Sequence, residues 1–410
     1  MRTVLRIERH TRLPVWPAWQ GLVLTALSQL GGPFRGAADQ LEYKYGGRVC
    51  PIPLSQSQSD PFVLLVHHRH AFRRFDFLRP LFSRLILPEG FPAHPHRGFE
   101  TITYVLPGRG GLLHRDSFGC KMRYGDGAVQ WMTAGDGMLH EEMWDVESAD
   151  EFELYQLWLN LPAKHKRRRP NVQLLVDGAA DEAPRAIKTN VVERAGAMNV
   201  ERGRIAHSTF KAGAVVERLL ADGRADADSA CGAKTWSPVT IAHIEIRAKG
   251  VSHALRIPTG WNALVYVRRG AVDIGAQGDG AATAAHAATA ASFDSQRSAH
   301  EADGGAAVRV GTYETAYLSR SGETLMLTSA AEGVCDVLVL AGEPINEPLV
   351  SQGTMVMNSQ AEVEEAVRDY STGKFGLPWD HTLDDGSWAQ RCKNFLQRFG
   401  IREEASSKVE

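Results

Sequence analysis

Two short motifs place histidine and carboxylate side chains where they could bind a metal ion. The first is His94-x-His96, and the second, later in the chain, is His140-x-Glu142. In a β-strand, side chains at positions i and i+2 point to the same face. Each motif would therefore project two ligands from one strand. Three imidazoles and a carboxylate that meet inside a small β-structure are typical ligands of a first-row transition metal.

The spacing leaves two candidates for the carboxylate ligand. Glu100 follows His96 by four residues and would share its strand face, whereas Glu142 follows His140 by two. Glu141 has the opposite parity, so we expect its side chain to point away from the site. Spacing alone does not choose between Glu100 and Glu142.

The remaining histidines form weaker patterns. No second ligand motif accompanies the histidine-rich run 67–70, which we therefore expect to lie in a loop. We expect His114 to support the site rather than to bind the metal. The histidines of the second half show no paired spacing, so we expect no metal there. These are His243, His253, His286 and His300.

The elements that would carry these motifs are short strands separated by glycine turns. Between residues 99 and 161, apolar segments alternate with turn residues such as those at 107–111 and 125–127. A second β-rich block follows in the second half. Evenly spaced short strands with turn signals predict a β-barrel or sandwich. The predicted strands are 101–106, 128–132, 154–161, 240–247, 254–257, 263–268 and 334–341.

One helix is predicted near the end of the chain. Ser359 and Glu362 form a capping-box pattern, apolar residues follow at helical spacing, and Gly373 stands where a helix would stop. The predicted architecture is two β units in tandem with a helical tail. Three segments are expected to be irregular: an insertion at 71–90, a connector at 162–200 and a solvent loop at 275–292.

Composition and charge narrow the classes of function. At 410 residues the chain exceeds a usual single core, so we expect two domains. A formal net charge of −2 argues against a general binder of nucleic acid or of membrane surfaces. The five cysteines include no C-x-x-C pair, which predicts a reducing compartment. No apolar run reaches the roughly 18 residues that a membrane helix needs.

Two basic stretches bear on localisation. The arginine-rich first twelve residues faintly resemble an organellar targeting sequence, although Glu8 weakens this interpretation. The basic run 164–169 could serve as a nuclear address, but we expect it to be a solvated linker. We predict a cytoplasmic or nuclear protein, with organellar targeting left open.

At these motifs the chain resembles the pirin family of bicupin proteins. The N-terminal likeness is carried by HPHRGFET (94–101), HRDS (114–117), QWMTAGDGMLHEEM (130–143) and QLWLNLP (156–162). The matching runs of the second half are IPTGWN (257–262), AGEP (341–344), VMN (356–358) and GKFG (373–376). The resemblance extends over residues 58–376 and is strongest in the first half.

The residues and the resemblance together predict an all-β fold. It consists of two tandem cupin barrels (double-stranded β-helices, or jelly rolls) with a C-terminal helical tail. The predicted division is a divergent N-terminal segment (1–57), an N-terminal metal-binding barrel (58–165), a connector (166–200), a C-terminal barrel without metal (201–350) and the helical tail (351–410).

The resemblance also implies a ligand set. The metal-binding pattern of the family falls on His94, His96, His140 and Glu142, which favours Glu142 over Glu100. Glu100 then becomes a residue of the surrounding pocket. The implied cofactor is one Fe²⁺ per chain in the N-terminal barrel, with another divalent transition metal as the alternative.

Two functions of different classes follow from the resemblance. The first is an iron-dependent dioxygenase for flavonol-type, quercetin-like substrates, in which Glu142 also accepts the substrate proton. Phe99, Trp131 and Met132 would line a pocket for a flat aromatic molecule. The alternative is a non-enzymatic, iron-binding redox sensor that acts as a nuclear transcription cofactor through protein contacts. We expect a monomer with a small aromatic or protein partner, and no direct contact with nucleic acid or membrane.

Overall fold

The computed structural model describes most of the chain, and strands dominate it. The described residues are 1–14, 47–72, 81, 89–177, 191–194, 200–223, 233–275, 296–298 and 307–401. The predicted class, all-β with two cupin-type barrels and C-terminal helices, is confirmed. Within the described ranges, no helix combines the length and apolar composition that crossing a bilayer requires.

The strands are numbered in chain order. The first thirteen are β1 (Val4–Arg9), β2 (Leu13–Pro14), β3 (Gly47–Pro53), β4 (Phe62–Ala71), β5 (Gly90–His96), β6 (Phe99–Val105), β7 (Leu112–Asp116), β8 (Cys120–Tyr124), β9 (Val129–Thr133), β10 (Met138–Trp144), β11 (Glu151–Asn160), β12 (Asn171–Asp177) and β13 (Val191–Arg194). The others are β14 (Val200–Phe210), β15 (Val215–Asp222), β16 (Val239–Ile246), β17 (Ser252–Arg256), β18 (Asn262–Arg269), β19 (Ala271–Ile274), β20 (Gln296–Ser298), β21 (Val308–Gly311), β22 (Glu314–Leu318), β23 (Thr324–Ser329), β24 (Cys335–Gly342), β25 (Val350–Gln352) and β26 (Met355–Met357). The helices are α1 (Gln56–Ser59), α2 (Gln360–Ser371) and α3 (Asp385–Arg398), and short 3-10 turns lie at Ala163–His165 and Lys211–Gly213.

The chain divides into two compact units. The first unit comprises Arg12–Pro53, Phe62–Arg204 and Asn346–Glu410, and the second comprises Met1–Thr11, Leu54–Pro61 and Ile205–Ile345. Each unit therefore collects separate stretches of the chain, whereas the sequence-based division was linear. The C-terminal helices belong to the first unit, and β1 belongs to the second.

Two antiparallel arrays of strands enclose the core of the first unit. One has the order β2-β3-β4-β11-β6-β9-β12, and the other has the order β13-β8-β7-β10-β5. Core side chains come from both arrays, among them Val105 and Leu154 from the first and Leu112 and Met122 from the second. The predicted connector 162–200 is wrong in part, because β12 pairs with β9 and completes the first array.

The second unit repeats this plan. Its strands follow the orders β15-β16-β24-β18-β22-β1-β20 and β17-β23-β19-β21. The strand β1, from the predicted N-terminal segment, pairs antiparallel with β22. The fully buried guanidinium of Arg2 anchors it by donating hydrogen bonds to the carbonyls of Pro258, Trp261 and Ser319, over 2.6 to 2.9 Å.

The predicted strands correspond to β6, β9, β11, β16, β17, β18 and β24, with ends shifted by at most three residues. The histidine-rich run 67–70 contradicts its predicted loop, because it lies within β4. Most of the predicted insertion 71–90 and nearly all of the predicted solvent loop 275–292 lie outside the described residues.

Two helices form the C-terminal part of the first unit. The predicted capping box is present at α2: the backbone N–H of Glu362 donates to Ser359 Oγ, which donates to the Glu362 carboxylate. Gly373, with φ of 80°, follows the helix end. The helix α3, which is capped by Asp384 and buries Trp388, was not predicted.

Candidate metal centre

Three histidines meet at the interior face of the first unit. β5 carries His94 and His96, and β10 carries His140 directly opposite His94 in the antiparallel register. The ring centroids lie 4.5 to 4.8 Å apart, and one ring nitrogen from each residue lies within 4.8 Å of the others. The i, i+2 spacing and the strand pairing together build this cluster.

The ring nitrogens have the orientation that a metal ligand needs. His94 Nδ1 lies 2.7 Å from the carbonyl oxygen of Pro92, which can only accept, so Nδ1 carries the proton and Nε2 keeps its lone pair. His94 Nε2 and His140 Nε2 face each other at 3.1 Å. His140 Nδ1 is buried without a hydrogen-bond partner among the described residues.

The electrostatic environment keeps these rings neutral. Burial lowers the pKa of His94, and it lowers the pKa of His96 and His140 well below the ordinary value. The mutual repulsion of the protonated rings adds to this lowering of the pKa. Neutral imidazoles at close range are the form that binds a divalent transition metal, so the three residues fit such an ion.

Glu142 lies beside this cluster on the same face of β10. Its Oε1 accepts hydrogen bonds from Tyr124 Oη at 2.7 Å and Thr103 Oγ1 at 2.9 Å, and its Oε2 accepts one from Gln156 Nε2 at 2.9 Å. A carboxylate has about four acceptor positions, so three donors leave one free. The Glu142 charge also raises the pKa of His94, against the larger effect of burial.

Glu100 lies on the opposite face of β6, and its predicted place in the pocket is wrong. Its Oε1 accepts a hydrogen bond from Thr133 Oγ1 at 2.5 Å, and Thr133 is its neighbour on β9. Thr103, by contrast, points to Glu142. Parity does not carry over from β5 because Gly98, with φ of 85°, separates the two strands.

Glu141 points away from the cluster, as predicted. Its carboxylate accepts a hydrogen bond from Arg115 Nε at 2.5 Å. The Arg115 guanidinium also donates to the carbonyl oxygen of Leu383 and lies 5.7 Å from the ring centroid of Trp388. This face of β10 therefore packs against the C-terminal segment of the first unit.

His114 lies behind the cluster, in the supporting position that we expected. It is opposite Glu142 in the pairing of β7 with β10, and its ring centroid lies 5.5 Å from that of His140. Its Nε2 lies 3.2 Å from Asp116 Oδ2. The other carboxylate oxygen of Asp116 accepts two backbone N–H groups, which fix the orientation of the carboxylate.

Arg97, which directly follows His96, links the end of β5 to the helix α2. Its buried guanidinium donates to Asp136 Oδ1 at 2.6 Å and to Asp369 Oδ2 at 2.9 Å. Lys166, which is 1 % exposed, donates to the carbonyl oxygens of Gly98 and Val356. Burial lowers the pKa of Lys166 to about 8.

These contacts correct the prediction for the basic run 164–169. We expected a solvated linker, but Lys166 is a buried residue of the first unit. Arg167 is exposed and pairs with Asp136 and Glu365. The run therefore combines one buried structural lysine with exposed basic residues.

The predicted aromatic lining is correct in part. Phe99 contacts the ring of His96, with centroids 5.1 Å apart, and Met132 lies opposite Thr101 on the inner face. Trp131 has the opposite parity and lies beside Ile102 on the other face of the sheet. Adjacent strand residues cannot both line one pocket.

Another group of titratable side chains is found in the second unit. His243, Glu245 and Asp336 come within 4.8 Å of one another, a grouping that sequence spacing did not indicate. His243 Nε2 lies 3.2 Å from Asp336 Oδ1, while Arg218 and Arg268 pair with the two carboxylates. The arginines already compensate the negative charge, so this group is explained as a buried ion-pair network.

Comparisons with known proteins agree with this geometry. Residues 48–159 match the family model described as Pirin, and residues 241–376 match the model described as Pirin C-terminal cupin domain. A protein of Pseudomonas aeruginosa, provisionally named a quercetin 2,3-dioxygenase, is 35% identical over 69% of this chain and 79% of its own length. Pirin of Rattus norvegicus is 30% identical over 71% of this chain and 79% of its own length.

A solved structure supports the same relationship. The crystal structure of quercetin 2,3-dioxygenase from Acinetobacter baumannii superposes with a TM-score of 0.60 and 27% identity. The superposition covers 92% of this chain and 99% of that one. Two matching family models, close relatives and a common bicupin fold lead to one conclusion: the chain belongs to the pirin family, whose members are metal-binding cupins.

Proposed function

We propose that this protein is an iron-dependent dioxygenase that acts on flavonol-type substrates. The observation that carries the proposal is the convergence of three neutral histidine rings on one buried point, with Glu142 beside them. The names of the Pseudomonas aeruginosa and Acinetobacter baumannii relatives point to the same reaction class.

We assign the metal ligands to His94, His96, His140 and Glu142. The first three present ring nitrogens within 4.8 Å of one another, and the carboxylate keeps one free acceptor position. A bound divalent iron supplies Lewis acidity and a route for electrons to dioxygen. The choice of iron rests on the mixed histidine and carboxylate donor set.

The residues around Glu142 would control the proton of the substrate. We assign to the Glu142 carboxylate the acceptance of the proton from the flavonol hydroxyl that reacts. Tyr124, Thr103 and Gln156 hold the carboxylate in one orientation. Burial and the nearby Glu142 charge raise the pKa of Tyr124 well above its ordinary value, so Tyr124 stays a hydrogen-bond donor.

The experiment that tests this function is aerobic turnover of quercetin by protein loaded with iron under anaerobic conditions. We expect loss of the flavonol absorbance together with release of carbon monoxide. Glu142→Gln should lower the rate by about 100-fold, because a positioned general base contributes 10²- to 10⁴-fold. The matched control is Glu141→Gln, on the other face of the same strand. Iron-loaded wild type without turnover would disprove the proposal.

The alternative, a nuclear redox sensor, has one supporting sequence feature, the basic run 164–169. Lys166 of this run is buried and Arg167 is ion-paired, whereas Lys164 and Arg169 are exposed. The run therefore does not favour this alternative over the enzyme. No other feature of the described residues favours this alternative over the enzyme.

A further inference from the structure

β4 contributes two histidines to the interior of the first unit. His68 lies opposite Leu154 on β11, and His70 lies opposite Phe152. Both β11 residues belong to the core between the two strand arrays. Directly paired residues share a sheet face, so both histidines point into the barrel.

Aromatic rings surround this histidine pair. The His70 ring centroid lies 4.6 Å from that of Trp144, and the His70 ring is nearly parallel to Phe72, with centroids 5.9 Å apart. The His68 ring meets Phe91 edge-on at 5.4 Å. The result is an interior surface of flat apolar rings and imidazole edges.

Each ring keeps a polar atom without a partner. His68 Nδ1 and His70 Nε2 are buried, and no described residue forms a hydrogen bond with either. Burial lowers the pKa of His70 to about 3 and that of His68 well below the ordinary value, so both rings are neutral. A neutral imidazole has one donor and one acceptor, and leaving either unmet in the interior is unfavourable, so each ring favours a ligand that supplies the missing partner.

The pair is buried to the same degree as the aromatic rings beside it. His68 and His70 are 6% and 5% exposed, and Phe72 and Trp144 are each 5% exposed. The two unpartnered nitrogens are themselves buried, so a ligand reaches them only from the interior of the barrel.

The pair lies on the same inner surface as the proposed metal ligands. Glu142 and Trp144 share one face of β10, and Trp144 contacts both histidines of β4. Gln156 donates a hydrogen bond to Glu142 and is two residues from Leu154 on β11. Because Leu154 is paired with His68, Gln156 and His68 are separated by about 7 Å along the strand direction. A flat molecule with one end beside Glu142 would point its other end towards the pair.

We propose that His68 and His70 determine substrate specificity. They form hydrogen bonds with hydroxyl groups on the ring of a polyphenolic substrate that lies farthest from the metal, while Trp144 and Phe91 contact the ring faces. This inference rests on the proposed function for the class of substrate. It adds the requirement that the distal ring be hydroxylated.

The test measures binding of two flavonols to the full-length, iron-loaded protein without oxygen, by quenching of tryptophan fluorescence. Quercetin has two hydroxyls on its pendant ring, and 3,5,7-trihydroxyflavone has none. We expect wild type to bind quercetin at least about tenfold more tightly, as one to two hydrogen bonds would provide. The double variant His68→Phe, His70→Phe should bind both flavonols within about twofold of each other.

Two further variants separate recognition from folding. His68→Gln alone keeps a hydrogen-bonding group and should retain part of the preference for quercetin. His67→Gln is the matched control, since His67 lies on the other face of β4 and bonds to Glu153. The inference is overturned if wild type binds the two flavonols equally tightly or binds neither. It is also overturned if the double Phe variant keeps the preference of wild type for quercetin.

The turnover assay distinguishes this failure from failure of the proposed function. Turnover of quercetin without a binding preference overturns only the specificity role. A preference that depends on His68 and His70, without turnover, overturns only the dioxygenase.

Discussion

The interiors of the two barrels differ in polarity although their strand plans are alike. The inner face of the first unit carries Thr101, Thr103, Gln130, Gln156, His68, His70, His140 and Glu142 among its apolar residues. The inner face of the second is mostly hydrocarbon, with Ala242, Ile244, Val265, Val267, Val337 and Val339 as examples, and its inward-facing His253 and Glu217 hydrogen-bond to each other at 2.7 Å. The group of His243 with Asp336 lies on the opposite face of the strands.

This difference shows how one fold can hold a candidate metal site in one barrel and a largely apolar core in the other. Moving a polar group into a barrel costs several kcal/mol unless it finds partners, so a largely apolar interior disfavours ions and polar ligands. In the first unit, Glu142 has three donors, and His68, His70, His96 and His140 keep buried ring nitrogens without a partner among the described residues. In the second unit, the inward-facing His253 and Glu217 bond to each other. Interior histidines without protein partners therefore distinguish the first barrel as the candidate metal site.

Removing a histidine from each unit tests this comparison most strongly. We expect His140→Ala to reduce the iron-to-chain ratio of the loaded protein from about one to near zero, because it removes a proposed ligand. His243→Ala should leave the ratio unchanged. Elemental analysis after gel filtration measures both, with circular dichroism as the control for folding. Loss of metal in His243→Ala alone would reverse the assignment of the site.

The two faces of one strand can be compared through the buried carboxylate Glu100. Burial raises its pKa to about 7, so its contribution to stability is complete below pH 4.5 and is lost as the pH rises through 7. Glu100→Gln removes this loss. The free energy of unfolding of the variant minus that of wild type should therefore increase by about 3 kcal/mol from pH 4.5 to pH 8.5. Urea denaturation at both pH values measures the gain.

Metal content gives the control for this variant. Since Glu100 lies on the face away from the histidines, Glu100→Gln should bind iron as wild type does. A loss of iron in this variant would indicate that Glu100 is a metal ligand.

Exchanging hydroxyl and methyl groups tests interior polarity in both units. Val339→Thr adds a hydroxyl to the hydrocarbon interior of the second unit and should lower the free energy of unfolding by about 1 to 3 kcal/mol. Thr103→Val removes a donor to Glu142 in the first unit and should reduce turnover more than stability. Chemical denaturation and the quercetin assay measure the two effects. Equal destabilisation by both exchanges would refute the comparison.

The smallest effect is expected from the residues that orient Glu142. Tyr124→Phe removes one hydrogen bond to the carboxylate and should weaken iron binding by about tenfold, as changes around a ligand commonly do. Competition with a chelator measures the affinity. Tyr104→Phe is the matched control, because Tyr104 lies on the other face of β6. An unchanged affinity in Tyr124→Phe would mean that this hydrogen bond does not tune the metal site.

Much of the fold was predictable because it depends on local patterns. Short apolar segments bounded by turn residues located β6, β9 and β16, and the Ser359 capping box located α2. The helix α3 was missed although Trp388, Cys392 and Phe395 recur at helical spacing after Asp384. This spacing of four and three residues is the pattern that predicts an amphipathic helix.

The errors at the site concern which face a residue occupies. Parity was extended from His96 to Glu100 across Gly98, where the backbone changes direction and the alternation restarts. The histidines of β4 were assigned to a loop because no partner motif lies nearby in sequence. Their partners, on β10 and β11, come from distant strands.

The sequence by itself determined the three histidines, their strand spacing and the tandem β architecture, since each depends on residues close together in the chain. The tertiary structure decided what surrounds them. It fixed the three donors of Glu142, buried Lys166 against the carbonyl of Gly98, and placed His68 and His70 inside the barrel. These outcomes depend on strand order and register, which bring distant residues together and which local pattern does not encode.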